Sequence, residues 1–177
     1  MKRKAIIPFG QNADTSIDYL IGILTDARIT TLQRIAGISK TELHWQYTKG
    51  WNSIGALLSH LIALENYLSI MYLEGRRLTE AELKEFGPAL KMGDFLPQLI
   101  TDKPLEFYTE NLAASRKQLL TRIKTLSKTD FHQKREGYDK ENGCNLAWVL
   151  YHLAEDEIHH RGQISILRKL YQQTKHL

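Results

Sequence analysis

Four long stretches of the chain set apolar residues at helical spacing. In the first, from about Thr15 to Ala36, Tyr19, Ile23 and Ala27 stand a turn apart with Leu20 and Leu24 beside them, and Gly37 follows as a stop. The second starts at Asn52 or Ser53, either of which can cap a helix, and runs to about Glu74 before Gly75. Ile54, Leu57, Leu58, Leu61, Leu64, Leu68 and Tyr72 form its stripe. The third begins near Pro104, a favoured first-turn residue, and runs to about Leu126. The fourth opens near Asn145 and continues to about Gln172, with Leu146, Val149, Leu150, Leu153, Ile164, Leu167 and Tyr171 along one face.

The connections differ in length. Residues 38–51 read as a short crossing loop and 127–144 as a polar loop. Residues 76–102 form a longer link in which Thr79-Glu80-Ala81-Glu82 is a capping-box pattern, predicting a small helix closed by Gly87-Pro88. No strand-like alternation is visible. Amphipathic helices must bury their stripes against one another, so the pattern predicts an all-α, four-helix bundle, one domain over residues 1–177.

Composition narrows the functional classes. Hydrophobic residues make up 42% and charged residues 25%, the balance of an ordinary globular protein. The net charge of +4 is scattered apart from Lys2-Arg3-Lys4, Arg76-Arg77 and Arg168-Lys169. Nucleic acid is therefore not an expected partner, because its binders gather charge into a patch. Cys144 is the sole cysteine, which excludes an intramolecular disulfide and fits a reducing compartment. The N-terminus lacks a signal-like apolar run, and polar residues break the apolar stretches. A cytoplasmic protein with no membrane partner is the expectation.

The fourth helix breaks its own pattern. On a wheel of about 3.6 residues per turn its stripe should pass through 156, 157 and 160, which are Asp156, Glu157 and His160. His160 lies within roughly 10° of the stripe centre and each acid about 50° away. Buried ionisable groups must be paired, neutralised or metal-bound, so the tract predicts either a metal site or a buried ion-pair network. Side chains four residues apart stand above one another and can share an ion. A second helix must complete the site, and His60 on the edge of the second stripe is the candidate. His152 and His159 fall about 90° and 110° from the stripe and read as flank or surface, with a supporting role open to either. Gly162 is costly inside a helix and predicts close approach of another backbone. Arg161 and Gln163 could orient ligands or face a second subunit. Trp51 and Trp148 read first as core or boundary aromatics, with lining a substrate pocket as the lesser alternative.

The run His160-Arg161-Gly162-Gln163 late in a long helix, together with Trp51-Asn52-Ser53-Ile54-Gly55-Ala56-Leu57-Leu58-Ser59-His60, resembles the motifs of the DinB/YfiT-like metalloprotein superfamily. The resemblance implies an up-down-down-up bundle, often a homodimer, with a divalent metal held by three side chains, commonly three histidines. Carried onto this chain the positions are His60, Asp156 and His160. Asp156 stands where a histidine is usual. The resemblance selects Asp156 over Glu157, which the wheel leaves equivalent. Two histidines and a carboxylate suit zinc, nickel, iron or manganese.

Some proteins resembling this one are S-transferases or isomerases that use low-molecular-weight thiols of the bacillithiol or mycothiol type, where the metal would favour the thiolate. A metal-dependent enzyme of that kind, acting on a small-molecule substrate, is the leading expectation. A metal-assisted hydrolase with Glu157 as general base is the second. A non-catalytic, stress-associated bundle is the third. Whether His44 reaches the pocket is left open by the sequence.

Overall fold

The structure, a computed structural model, describes residues 15–92, 102–136 and 143–174. Helix α1 spans Thr15–Ile35 and stops before Gly37, whose φ of +70° suits a residue without Cβ. Its buried face runs through Ile17, Leu24, Ala27, Arg28, Thr31 and Ile35, so Leu24 and Ala27 are buried as expected while the face is rotated away from Tyr19 and Ile23. Tyr19 and Ile23 point outward, at 45% and 37% exposure. The expected loop 38–51 instead contains a short helix α2, Lys40–His44, whose first turn is capped by the Ser39 hydroxyl.

Helix α3, Ile54–Leu68, is capped by Ser53 rather than Asn52 and continues as a π-helical turn, Ser69–Leu73. By length and composition Ile54–Leu73 would pass for a membrane span, yet most of it is buried inside the bundle. Helix α4 covers Glu80–Lys91, and Thr79 and Glu82 form the expected capping box. Gly87-Pro88 does not close it. Pro88 lies inside the helix and forfeits one late hydrogen bond, while Ala89 beyond it packs on Ala56 and Ala63 of α3. Packing there outweighs local propensity.

Helix α5 spans Leu105–Ile123 with Pro104 at its N-cap. The expected loop 127–144 holds another short helix, α6, Lys128–His132, with a Ser127/Asp130 capping box. Residues Arg135 and Cys144 form an isolated antiparallel bridge. Helix α7, Leu146–Thr174, is the longest.

Side-chain pairings give the directions. Arg28–Glu157, Thr30–Arg161 and Arg34–Arg168 ascend together, so α1 and α7 run the same way. Ser59–Tyr108, Glu65–Ser115 and Ser69–Arg122 ascend together, so α3 and α5 are also parallel. His60 faces both Asp156 and His160, and α3 descends as α7 ascends. The apolar core divides into two. One cluster holds Leu24, Leu64, Leu68, Leu119, Val149 and Leu153; the other holds Ile35, Leu57, Leu58, Leu112, Ile164 and Leu167. Between them every long helix contributes polar residues, and that layer contains the candidate site.

Candidate metal centre

The polar layer has two parts. The first is a quartet of alternating charges, one residue from each long helix. Arg28 of α1 reaches Glu157 of α7 at 2.8 Å and Glu65 of α3 at 3.2 Å. Arg116 of α5 reaches Glu157 at 3.0 Å and also pairs with Glu65. Remaining donors go to the carbonyls of Leu112 and Leu24, and the Ser115 hydroxyl donates to Glu65. Burial alone would raise the Glu65 carboxyl, but Arg116 and Arg28 hold it below the ordinary range. Burial likewise disfavours the Arg28 cation, and Glu65 with Glu157 outweighs it.

Glu157, 1% exposed, therefore spends both oxygens on arginines and faces away from the histidines. It is the buried ion-pair outcome of the anomaly in the fourth helix. Arg28, Glu65 and Arg116 escaped the sequence reading, although Glu65 sits among Leu61, Leu64 and Leu68 and Arg116 between Leu112 and Leu119. Glu65 and Arg116 interrupt the apolar stripes of α3 and α5 as Glu157 interrupts that of α7, whereas Arg28 lies on a face of α1 outside its expected stripe.

The second part is the cluster His60, Asp156 and His160, whose ligand atoms lie within 4.8 Å of one another. His60 Nε2 stands 3.5 Å from Asp156 Oδ2, and His160 Nε2 stands 3.4 Å from Oδ1. These separations exceed the about 2.7–3.2 Å of a well-made hydrogen bond. They match the edge of a coordination polyhedron, since atoms about 2.0–2.1 Å from a tetrahedral zinc stand about 3.3–3.4 Å apart.

The surrounding bonds orient the rings. His60 Nδ1–H donates to the Ala89 carbonyl at 2.9 Å, which leaves its Nε2 lone pair facing the cluster. His160 Nδ1–H donates to Gln163 Oε1 at 2.8 Å with the same effect. Gln163 in turn donates from Nε2 to His159 Nε2 at 2.9 Å. The two imidazoles meet edge to face at 5.0 Å. Asp156 Oδ2 is buried without a hydrogen-bond partner among the described residues, an acceptor that a water or a cation would satisfy. Burial pushes the Asp156 carboxyl up, yet protonated imidazole rings of His160 and His60 beside it hold it well below the usual carboxylate range, and a bound cation would take the place of those protons. The donors present thus fit a divalent ion with three protein ligands and room for further ones.

The remaining candidates lie outside the cluster. His159 is exposed and supports Gln163, whereas His152 stacks on Trp148 at 4.8 Å. His44 Nε2–H donates to the Lys103 carbonyl at 2.7 Å, and its ring packs against Gly55 and Tyr108. A Cβ at Gly162 would meet nothing within 4 Å, so the expected close backbone approach is absent among the described residues. Arg161 donates to the Thr30 hydroxyl and ties α7 to α1. Trp51 is neither core nor boundary at 45% exposure.

Fold and site together define a helical bundle with a His-Asp-His constellation of metal-ligand type between antiparallel helices. A family model of the DinB superfamily matches residues 23–164, and the chain belongs to that superfamily. Among solved structures it is similar to the colibactin self-resistance protein ClbS in complex with a dsDNA. That likeness has a TM-score of 0.63 at 17% identity and covers 87% of this chain and 95% of ClbS. It shows a shared fold. No curated protein matches the chain significantly by sequence.

Proposed function

We propose that the protein binds a divalent metal through His60, Asp156 and His160 and is a metal-dependent enzyme, with thiol S-transfer as the reaction class. The observation carrying the metal reading is the pair of 3.4–3.5 Å separations around Asp156, too long for good hydrogen bonds and suited to a shared ion, while the thiol chemistry rests on the superfamily resemblance. When bound, the metal would act as a Lewis acid that favours the thiolate form of a low-molecular-weight thiol. The chain's own part is to orient. Ala89 and Gln163 set the tautomer of each histidine, and the quartet beneath holds the four helices in register.

Zinc, nickel, iron and manganese are all compatible with the donor set. The hydrolase alternative loses its base, because the carboxylate of Glu157 is committed to Arg28 and Arg116. A nucleic-acid reading would rest on the DNA bound by ClbS. In this chain Arg28 and Arg116 are buried, and Arg76 and Arg122 pair with Glu74. A steep salt-dependent affinity for duplex DNA would favour that reading instead.

The test is elemental analysis of protein purified without chelator, with thermal melts in added Zn²⁺, Ni²⁺ or Mn²⁺. Stoichiometric metal and a raised Tm, both lost in His160→Ala, are expected. Metal-loaded protein should then consume thiol in the presence of electrophiles. Absence of metal binding would leave the non-catalytic bundle, and bound metal without turnover across a broad thiol panel would remove the transferase class.

A further inference from the structure

Two voids of very different size lie along α7 on either side of the His60-Asp156-His160 cluster. Toward α7's N-terminus, Leu61, Leu64 and Leu153 pack with the charge quartet around a void of about 10 Å³, barely room for one water. Toward α7's C-terminus lies a cavity of about 420 Å³, within the size range of small-molecule sites. Its walls are Trp51, Asn52, Leu57, Gln163, Ile166 and Leu167, with the backbone of Gly50. Leu57 sits one turn before His60, and Gln163 is the residue that bonds His160. Gln163 thus belongs both to the cavity wall and to the hydrogen bonding of the cluster.

Its chemistry is selective. Among the described residues no charged side chain lines it, so these walls offer a phosphate or carboxylate no ionic partner. Trp51 is part of the wall, half exposed, and packs on Tyr47 with ring centroids 4.9 Å apart. Tyr47 continues to Trp45 at 6.2 Å, and Trp45 to Tyr171 at 5.6 Å, making an aromatic ladder that ends at the cavity. The turn bearing Trp51 is held by Trp51 N–H donating to the Thr48 carbonyl at 3.1 Å and by Gln46 donating to the Trp51 carbonyl. Gln163 uses its oxygen on His160 and one amide proton on His159, which leaves its second amide proton for a ligand.

We propose that this cavity is the subsite for an uncharged, flat, largely apolar acceptor molecule, stacked on Trp51 and accepting a hydrogen bond from the Gln163 amide. The inference rests on the metal-dependent reading and assigns the cavity to the acceptor rather than to a charged thiol. Aromatic faces and amides recognise such a molecule by stacking and a single directional bond, and the absence of charge excludes anionic analogues.

The experiment uses the metal-loaded protein, with 2-naphthol as the uncharged probe and 2-naphthoate as its anionic counterpart. Amide and indole NMR signals report the site. 2-Naphthol should move the Trp51 indole and Gln163 side-chain signals. Trp51→Ala and Ile166→Glu should each weaken it at least tenfold while metal content stays unchanged. 2-Naphthoate should bind at least tenfold more weakly than 2-naphthol.

Equal binding of the two probes would overturn the proposal. So would shifts confined to residues outside the cavity wall, or a Trp51 signal that follows protein concentration instead of probe, which would mean that a second copy covers the cavity. Loss of metal binding with 2-naphthol still at Trp51 would defeat the metal reading alone. Bound metal with an unresponsive Trp51 would defeat this inference alone.

Discussion

His160 donates its Nδ1–H to the Gln163 side-chain oxygen at 2.8 Å, three residues further along the same helix. That bond fixes the tautomer in which Nε2 is free to coordinate, and His159 fixes Gln163 in turn at 2.9 Å. Groups that orient a ligand in this way are commonly worth about 10–100-fold in metal affinity. Gln163→Leu should therefore weaken metal binding by about that factor, with His159→Phe causing a smaller loss. Competition against a chelator of known affinity measures both, and wild-type affinity in Gln163→Leu would show that the amide does not hold the ring.

Asp156 is the carboxylate between two imidazoles, with a buried oxygen that has no hydrogen-bond partner. Asp156→Ala should abolish the metal-induced rise in Tm. Asp156→His restores a third donor and should retain metal binding. Melts with and without Zn²⁺ compare the two, and a metal response persisting in Asp156→Ala would move the site elsewhere.

The Arg28–Glu65–Arg116–Glu157 quartet predicts strong non-additivity. Glu65→Leu leaves two buried guanidinium groups short of a partner and should cost about 3–5 kcal/mol. The corresponding fall in Tm is on the order of 10 °C for a chain of this size. Adding Arg116→Met should recover part of it, since Arg28 and Glu157 remain paired at 2.8 Å. Urea unfolding of the double-mutant cycle measures the coupling; simple additivity would mean that the four charges act independently.

The same quartet makes the fold acid-sensitive. The folded-state pKa of Glu65 lies below its ordinary value of 4.5, so its contribution is complete above about pH 4.5. It is lost as pH falls through the lower folded value, because the unfolded chain takes up the proton first. Stability should decline below about pH 4.5, and Glu65→Gln should flatten that decline. Melts between pH 3 and 7 test this, and identical slopes in the two proteins would exclude Glu65 as the source.

Gly55 illustrates a glycine needed for space. A Cβ there would lie 2.9 Å from the Tyr108 hydroxyl and 3.1 Å from the His44 ring. Gly55→Ala should destabilise by about 1–3 kcal/mol. Tyr108→Phe should relieve part of the clash, so the substitution should cost less in that background. Thermal melts of the four proteins decide it; a neutral Gly55→Ala would show that these neighbours yield freely.

The helices were legible because burial writes periodicity. The stripes of α3 and α7 are buried almost as expected, and His160 is buried at the centre of its face. The short helices Lys40–His44 and Lys128–His132 were missed because each spans five residues, too few for a periodic signal. Their Ser39 and Ser127 caps were the signal available. The continuation of α4 through Pro88 was hidden by a tertiary contact, the packing of Ala89 on α3.

By itself the sequence determined that long amphipathic helices build a bundle and that Asp156, Glu157 and His160 interrupt a core-facing stripe. It could do so because helix pitch and the cost of burying charge are local consequences of residue order. Only the tertiary structure decided how the interruption divides. Asp156 and Glu157 are equivalent on the wheel, yet one faces His60 and the other Arg28 and Arg116. That assignment depends on which residues α1, α3 and α5 bring to the same height, and no periodicity along one helix contains the positions of its neighbours.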